Sequence, residues 1–209
     1  LFAGDREAYM SAMRELLRMA PRTWHGHLSS DFAVLPSAYP DLLPEGVMDH
    51  LKLYWKAWLH PEVERGSGRA GEKNLGGGRQ RGGPTYFRGY SNGGGTMNFG
   101  HNAVMGALLG ADLIDAEHPL ADARRGLNRL LLGRNGLRTG AHQETGDTYY
   151  QALSLASPTA IAHFAESPTD RLKARIHRDQ LLETLISMYH PGTRRLTHPM
   201  GRGHYSYHL

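Results

Sequence analysis

The chain has 209 residues, of which 40% are hydrophobic and 21% charged, a composition typical of a globular protein. It contains no cysteine, which excludes disulfides, thiolate metal ligands and thiol nucleophiles. Its sequence has no apolar run of the roughly 18 residues that a membrane-spanning helix needs, so we expect no membrane association. Lys and Arg outnumber Asp and Glu by 24 to 20, and most of the basic residues are Arg, which favours an anionic partner.

Apolar spacing predicts an all-α protein built from helical hairpins. Residues 21–43, which contain several prolines and aromatics, are predicted to be irregular, and the basic tail from Thr193 to hold a short hairpin. The predicted helices cover 5–19, 44–60, 97–113, 119–132, 147–165 and 168–189.

We interpret residues 1–209 as one α-helical domain that is a fragment of a larger fold. The chain does not begin with Met and ends abruptly on Leu209. Further chain segments, or other copies in a homo-oligomer, would then complete the fold and its site.

A glycine- and arginine-rich segment spans residues 65–95, with 12 of the 26 glycines of the chain. Such a composition cannot form a packed core, so it is either a linker or a lid over a cleft. Tyr86, Phe87, Arg88 and Tyr90 favour the lid, because aromatic residues are uncommon in linkers.

Three polar side chains follow this segment at the start of a predicted helix. Asn98, His101 and Asn102 have the spacing i, i+3 and i+4, which places them on one helix face. A carboxamide can donate to an anionic oxygen and a histidine can transfer a proton, so this face is a candidate catalytic and binding site. The alternative is a capped helix with a buried, hydrogen-bonded histidine.

A second candidate cluster lies where a loop meets a helix, between residues 142 and 150. Glu144 or Asp147 could be a general acid or base, and Tyr149 or Tyr150 could do the same if nearby positive charge lowered its pKa. His142 is a candidate for substrate binding. The alternative is that Asp147 caps the helix and Tyr150 belongs to the core.

The tail supplies a third cluster, of which Arg202, His204 and Tyr205 are candidate substrate-binding residues, unless it is a solvated chain end. Two histidine pairs, His25 with His27 and His204 with His208, have chelating spacings but no obvious third ligand. We therefore predict no metal site.

Taken together, the Thr-Met-Asn-x-x-His-Asn segment, the later Gln-Glu-x-x-Asp-x-Tyr-Tyr segment and the helical hairpins resemble the α/α-toroid carbohydrate-active enzymes. Within these, they resemble the polysaccharide lyases of the heparinase and alginate lyase kind. The resemblance implies β-elimination on a uronate-containing polysaccharide without a cofactor, and secretion or a periplasmic location. It implies that Asn98 neutralises the uronate carboxylate with help from Arg88 and that Tyr149 or Tyr150 is the base or acid. His101 would be a base or a second neutraliser.

Other functions remain open on the residues alone. One is a glycoside hydrolase on the same scaffold, with Glu144 and Asp147 as acid and base. Another is an aromatic-lined α/α barrel such as a terpene-type cyclase or dehydratase. The third is a non-catalytic module that binds an acidic polymer, of which nucleic acid is the less favoured case.

Overall fold

The computed structural model describes residues 28–43, 46–59, 97–134 and 148–196, together with Ser11. Across these ranges the chain is mostly helical, which confirms the all-α prediction. The predicted helix over 5–19 and the glycine-rich segment 65–95 lie outside the described residues. The helices are α1 (Leu28–Ala38), α2 (Val47–Leu59), α3 (Met97–Leu113), α4 (Glu117–Arg129), α5 (Thr148–Phe164) and α6 (Pro168–Met188).

Helix α1 corrects the prediction that residues 21–43 are irregular. Pro36, a residue that ordinarily breaks a helix, lies inside α1. Because proline has no N–H, it cannot donate to the carbonyl of Phe32, four residues earlier. The indole Nε1–H of Trp55 donates to that carbonyl at 3.2 Å. The group that the proline leaves without a helical partner is thus satisfied from α2, a tertiary compensation that local sequence does not display.

Trp55 also explains how closely α2 approaches α3. Its ring is fully buried, and a Cβ atom built on Gly110 would lie 2.4 Å from its Cδ2 atom. Glycine is therefore required at position 110 by packing. The core around this contact includes Leu51, Met105, Leu108, Leu109 and Leu127.

Two helical hairpins lie side by side. Helix α3 turns at residues 114–116 into α4, which continues as a π-helical turn (Leu130–Arg134), and α5 turns at 165–167 into α6. Ser157 Oγ donates to Asn102 Oδ1, and the Glu166 N–H donates to Asp112 Oδ2. Because the contact positions advance together, from Asn102 to Asp112 in α3 and from Ser157 to Glu166 along and just beyond α5, these two helices run parallel.

The start of α6 follows its sequence signal. Ser167 is the N-cap, its hydroxyl accepts from the Asp170 N–H at 3.4 Å, and Pro168 occupies the first turn. Arg171 Nη1 donates to the carbonyls of Ala165 and Glu166, at 2.7 Å and 2.9 Å. The turn between α5 and α6 is therefore held by side chains of its own hairpin and, through Asp112 of α3, by the other hairpin.

The apolar positions of α6 are distributed differently from the prediction. Apolar spacing along 168–189 predicts that Leu172 and Ile176 face the core, but they are 55% and 40% exposed. The buried face carries Asp170, Ala174, His177 and Leu181. Two polar residues therefore point into the protein where leucine and isoleucine point out.

A short antiparallel pair follows α6, formed by β1 (Tyr189–His190) and β2 (Arg195–Leu196), so the expected hairpin begins slightly earlier than predicted. Across the described ranges, no helix combines the length and the apolar character needed to cross a membrane.

Candidate active site

A cluster of buried polar side chains lies where α3, α5 and α6 meet. Each of its members is at most 2% exposed. Amide, hydroxyl and imidazole groups make up the whole set, with no carboxylate and no permanent cation. The members are Asn98, His101 and Asn102 from α3, Gln151, Ser154 and Ser157 from α5, and His177 from α6.

Helices α3 and α5 present their polar side chains to each other at matching levels. The hydrogen bond from Ser157 Oγ to Asn102 Oδ1 measures 2.9 Å and joins the two faces. Asn98 lies one turn before Asn102, and Ser154 lies one turn before Ser157. Since the helices run parallel, Asn98 and Ser154 lie at the same level, with the first turns of both helices at the same end.

His101 and His177 form the closest polar contact of the cluster, with 2.8 Å between their Nε2 atoms. The ring planes are parallel, at 0°, and the centroids are 5.1 Å apart. The centroid separation exceeds the nitrogen separation by about two ring radii, so the rings meet head-on in one plane and are not stacked face to face. One ring must donate its Nε2–H to the bare Nε2 of the other, because neutral imidazole has one donor and one acceptor nitrogen.

Gln151 and Ser154 are buried without hydrogen-bond partners among the described residues. This holds for both amide atoms of Gln151 and for the hydroxyl oxygen of Ser154. A buried polar group without a partner costs about 1–3 kcal/mol, and such groups are rare in native proteins. The pair therefore marks a place where a polar ligand or water would be stabilised.

An ion pair lies beside the cluster, between the two hairpins. Arg124 Nε of α4 donates to Asp170 Oδ2 at 2.6 Å, and the Asp170 side chain is only 3% exposed against 40% for Arg124. Nearby, burial raises the pKa of Asp112, and the hydrogen bond from the Glu166 N–H opposes that rise. These carboxylates connect helices and are not part of the polar cluster.

Asn98, His101 and Asn102 lie in the first turns of α3, where their helical spacing places them on one face, and all three are buried. Tyr150, on α5 next to Gln151, is half-buried. Tyr149 lies in α5, but its side chain is outside the described part of the chain. The other candidates also lie outside it: Glu144, Asp147, His142, Arg88, Tyr90, Arg202, His204 and Tyr205.

Sequence reasoning missed His177, Gln151, Ser154 and Ser157. The available signal was the i, i+3, i+6 spacing of Gln151, Ser154 and Ser157, which repeats one helix face. His177 had no comparable signal, because it is surrounded in the sequence by charged residues.

Within the described ranges, no group of three or more His, Asp or Glu side chains could hold a metal ion. The histidine pairs proposed from spacing, His25 with His27 and His204 with His208, fall outside those ranges. Comparisons with protein-family models, with curated proteins and with solved structures found no match. The functional argument therefore depends on the cluster itself.

Proposed function

We propose that the chain is part of a carbon–oxygen lyase that cleaves an acidic, uronate-containing polysaccharide by β-elimination. The observation that carries the proposal is the buried polar cluster, in which Asn98 and His101 accompany the unpartnered Gln151 and Ser154. A purely structural core would fill these positions with apolar side chains, because an unpartnered buried polar group destabilises the fold.

The arrangement of the helices supports an anionic substrate. Helices α3 and α5 run parallel, so the partially positive N-terminal ends of both lie at the end where Asn98 and Gln151 are found. Amide N–H and hydroxyl donors there can hold a carboxylate, and the described members of the cluster include no acidic group. The excess of Lys and Arg over acidic residues in the whole chain, 24 to 20, agrees with a polyanion.

The reaction requires removal of the C5 proton and stabilisation of the charge that then develops at the carboxylate. The C5 proton of a uronate is weakly acidic, and donors aimed at the carboxylate stabilise the enolate that its removal creates. In the proposal, Asn98 and Gln151 donate to the carboxylate, His101 removes the proton and Tyr150 protonates the leaving glycosidic oxygen. No metal or organic cofactor is needed for these steps.

We further propose that the two hairpins are consecutive units of an α/α toroid. Parallel α3 and α5, with α4 and α6 returning beside them, give the alternation of inner and outer helices that such a barrel repeats. The buried polar face of α3 and α5 then belongs to the inner layer, and further helices would complete the ring.

The test is incubation of the purified protein with polymers of mannuronate, guluronate and glucuronate, followed by the ultraviolet absorbance of the unsaturated uronate product. Asn98→Ala, His101→Gln and Tyr150→Phe should each lower kcat by about 10²–10⁴-fold, the range of a general acid or base or an oxyanion donor. His163→Gln is the matched control, because His163 is an exposed histidine on the same helix as Tyr150.

Three results would contradict the proposal. New reducing ends without the absorbance would indicate a hydrolase. Salt-sensitive polymer binding without turnover would indicate a binding module. Full activity in Asn98→Ala, Tyr149→Phe and Tyr150→Phe would exclude these residues from the reaction.

A further inference from the structure

Among the residues that the structure describes, His177 is the one buried imidazole that the proposed reaction does not use. It lies on α6, is 0% exposed, and reaches across to α3 by its Nε2 atom. Its helix presents charged residues to solvent, including Arg175 and Asp179, beside the exposed Leu172 and Ile176. A fully buried histidine on such a helix lowers the stability of the fold, since an apolar residue of the same size would fill the space without polar atoms.

The geometry of the pair restricts what each ring can do. The two Nε2 atoms are 2.8 Å apart in a head-on, coplanar arrangement, so a single proton lies between them. Two Nε2–H groups cannot face each other at this distance. Any other proton that the pair takes up or releases must therefore pass through an Nδ1 atom, because each imidazole has only two nitrogens.

We propose that His177 is the positioning residue that fixes the tautomer and orientation of His101, so that His101 exchanges protons with the substrate through Nδ1. This role in catalysis rests on the proposed lyase function, whereas the shared proton itself does not. His101 is then the ring that donates its Nε2–H, and His177 is the Nδ1–H tautomer that accepts it.

These two rings account for every bond and proton in the transfer. The C5–H bond of the uronate breaks, its electron pair stays on the sugar as the enolate, and the proton forms a new N–H bond at Nδ1 of His101. His101 becomes an imidazolium whose Nε2–H points at the neutral Nε2 of His177. A hydrogen bond from a charged donor is stronger than one from a neutral donor, so the contact with His177 strengthens as the charge develops.

The first measurement is a long-range proton–nitrogen NMR spectrum of the labelled protein, which distinguishes Nε2–H from Nδ1–H tautomers. The chain has 13 histidines, so His101 and His177 are assigned by the signals lost in His101→Gln and His177→Gln. We expect His101 as the Nε2–H tautomer and His177 as the Nδ1–H tautomer. In His177→Leu, the single tautomer of His101 should give way to a mixture.

The second measurement is kinetic. His177→Leu should lower kcat by about 10²-fold and leave KM within roughly threefold, because His177 does not touch the substrate. His177→Gln can still accept the Nε2–H through its carbonyl oxygen, so it should recover about tenfold of that loss. The His163→Gln variant should match the wild type in both measurements, and circular dichroism checks that every variant is folded.

The outcomes separate the two claims. The inference is overturned if the tautomer of His101 is unchanged in His177→Leu and in His177→Gln, or if the tautomer changes while kcat does not. It is also overturned if His177 is found to be the Nε2–H donor. Fixed, complementary tautomers in a protein that cleaves no uronate polymer would retain the shared proton and refute only the lyase.

Discussion

Gly110→Ala is the substitution whose effect the structure defines most sharply. The added Cβ would lie 2.4, 2.6 and 2.9 Å from the Cδ2, Cε3 and Cε2 atoms of Trp55. The indole is fully buried and its Nε1 is hydrogen-bonded to the carbonyl of Phe32, so the ring cannot turn away without losing that bond. The contact is with the rigid fused part of the ring, so either Trp55 or the α3 backbone must move.

The expected loss of stability follows from three opposing contributions. Overpacking a core costs about 1–3 kcal/mol, and displacement of the indole leaves a buried carbonyl unpaired at a further cost of about 1–3 kcal/mol. Ala favours the helix over Gly by about 1 kcal/mol. With partial relaxation, Gly110→Ala should lower the free energy of unfolding by about 2 kcal/mol and the melting temperature by about 4–8 °C.

Urea unfolding followed by circular dichroism measures the change, and the Trp55→Leu background supplies the control. Without the indole, Gly110→Ala should be neutral or slightly stabilising, because only the helix preference of Ala remains. The cycle should therefore give a coupling energy of about 2 kcal/mol between the two sites. A change of less than about 0.5 kcal/mol for Gly110→Ala alone, as at an unconstrained surface site, would refute the close approach of α2 and α3.

Three further predictions test other contacts between the helices by urea unfolding. Trp55→Phe should lower the free energy of unfolding by about 1–3 kcal/mol. Adding Pro36→Ala to Trp55→Phe should recover part of this loss, because alanine restores the N–H that the proline lacks. An equal effect of Pro36→Ala in the wild type would count against the compensation. Arg124→Ala should destabilise more than Asp170→Asn, because it leaves a buried carboxylate unpaired whereas a half-exposed guanidinium can turn to water; the reverse order would show that the ion pair is not buried as described. Asp112→Asn should stabilise the protein at pH 7, and the gain should vanish below about pH 4. The reason is that a raised folded pKa penalises only the charged form. A gain that persists in acid would reject this cause.

The helices whose apolar positions repeat regularly were predictable from the sequence. The end of α3 at Leu113 and the start of α6 at Pro168 agree with the predicted ranges, because capping and proline position act locally. Helix α1 was missed because its compensation is not local. Pro36 reads as a breaker until the indole of Trp55, 23 positions away from Phe32, supplies the missing donor.

The residues of the candidate site also divide into those that local sequence predicts and those that it does not. Asn98, His101 and Asn102 could be found because three polar residues at helical spacing after a glycine-rich segment contrast with an otherwise apolar helix. His177 could not, because its buried face contains only Ala174 and Leu181 as apolar neighbours, while exposed Leu172 and Ile176 give a more apolar face on the opposite side. The sequence pattern of α6 alone predicts that its more apolar face is buried. Only the contact with α3 shows that the face of His177 is the buried one.

Helix α3 explains how a polar cluster can persist inside this fold. Every residue from 100 to 111 is buried, so α3 is surrounded and has no solvated face on which polar side chains could be placed at low cost. Its C-terminal part, from Met105 to Gly110, packs against the indole of Trp55 and supplies apolar contact. Its N-terminal part carries the amides and His101. Apolar packing and polar burial are thus separated along one helix, and the tight packing at one end offsets the polar burial at the other. Because the partially positive helix end coincides with the polar part, the same separation places donors where an anion is most stable.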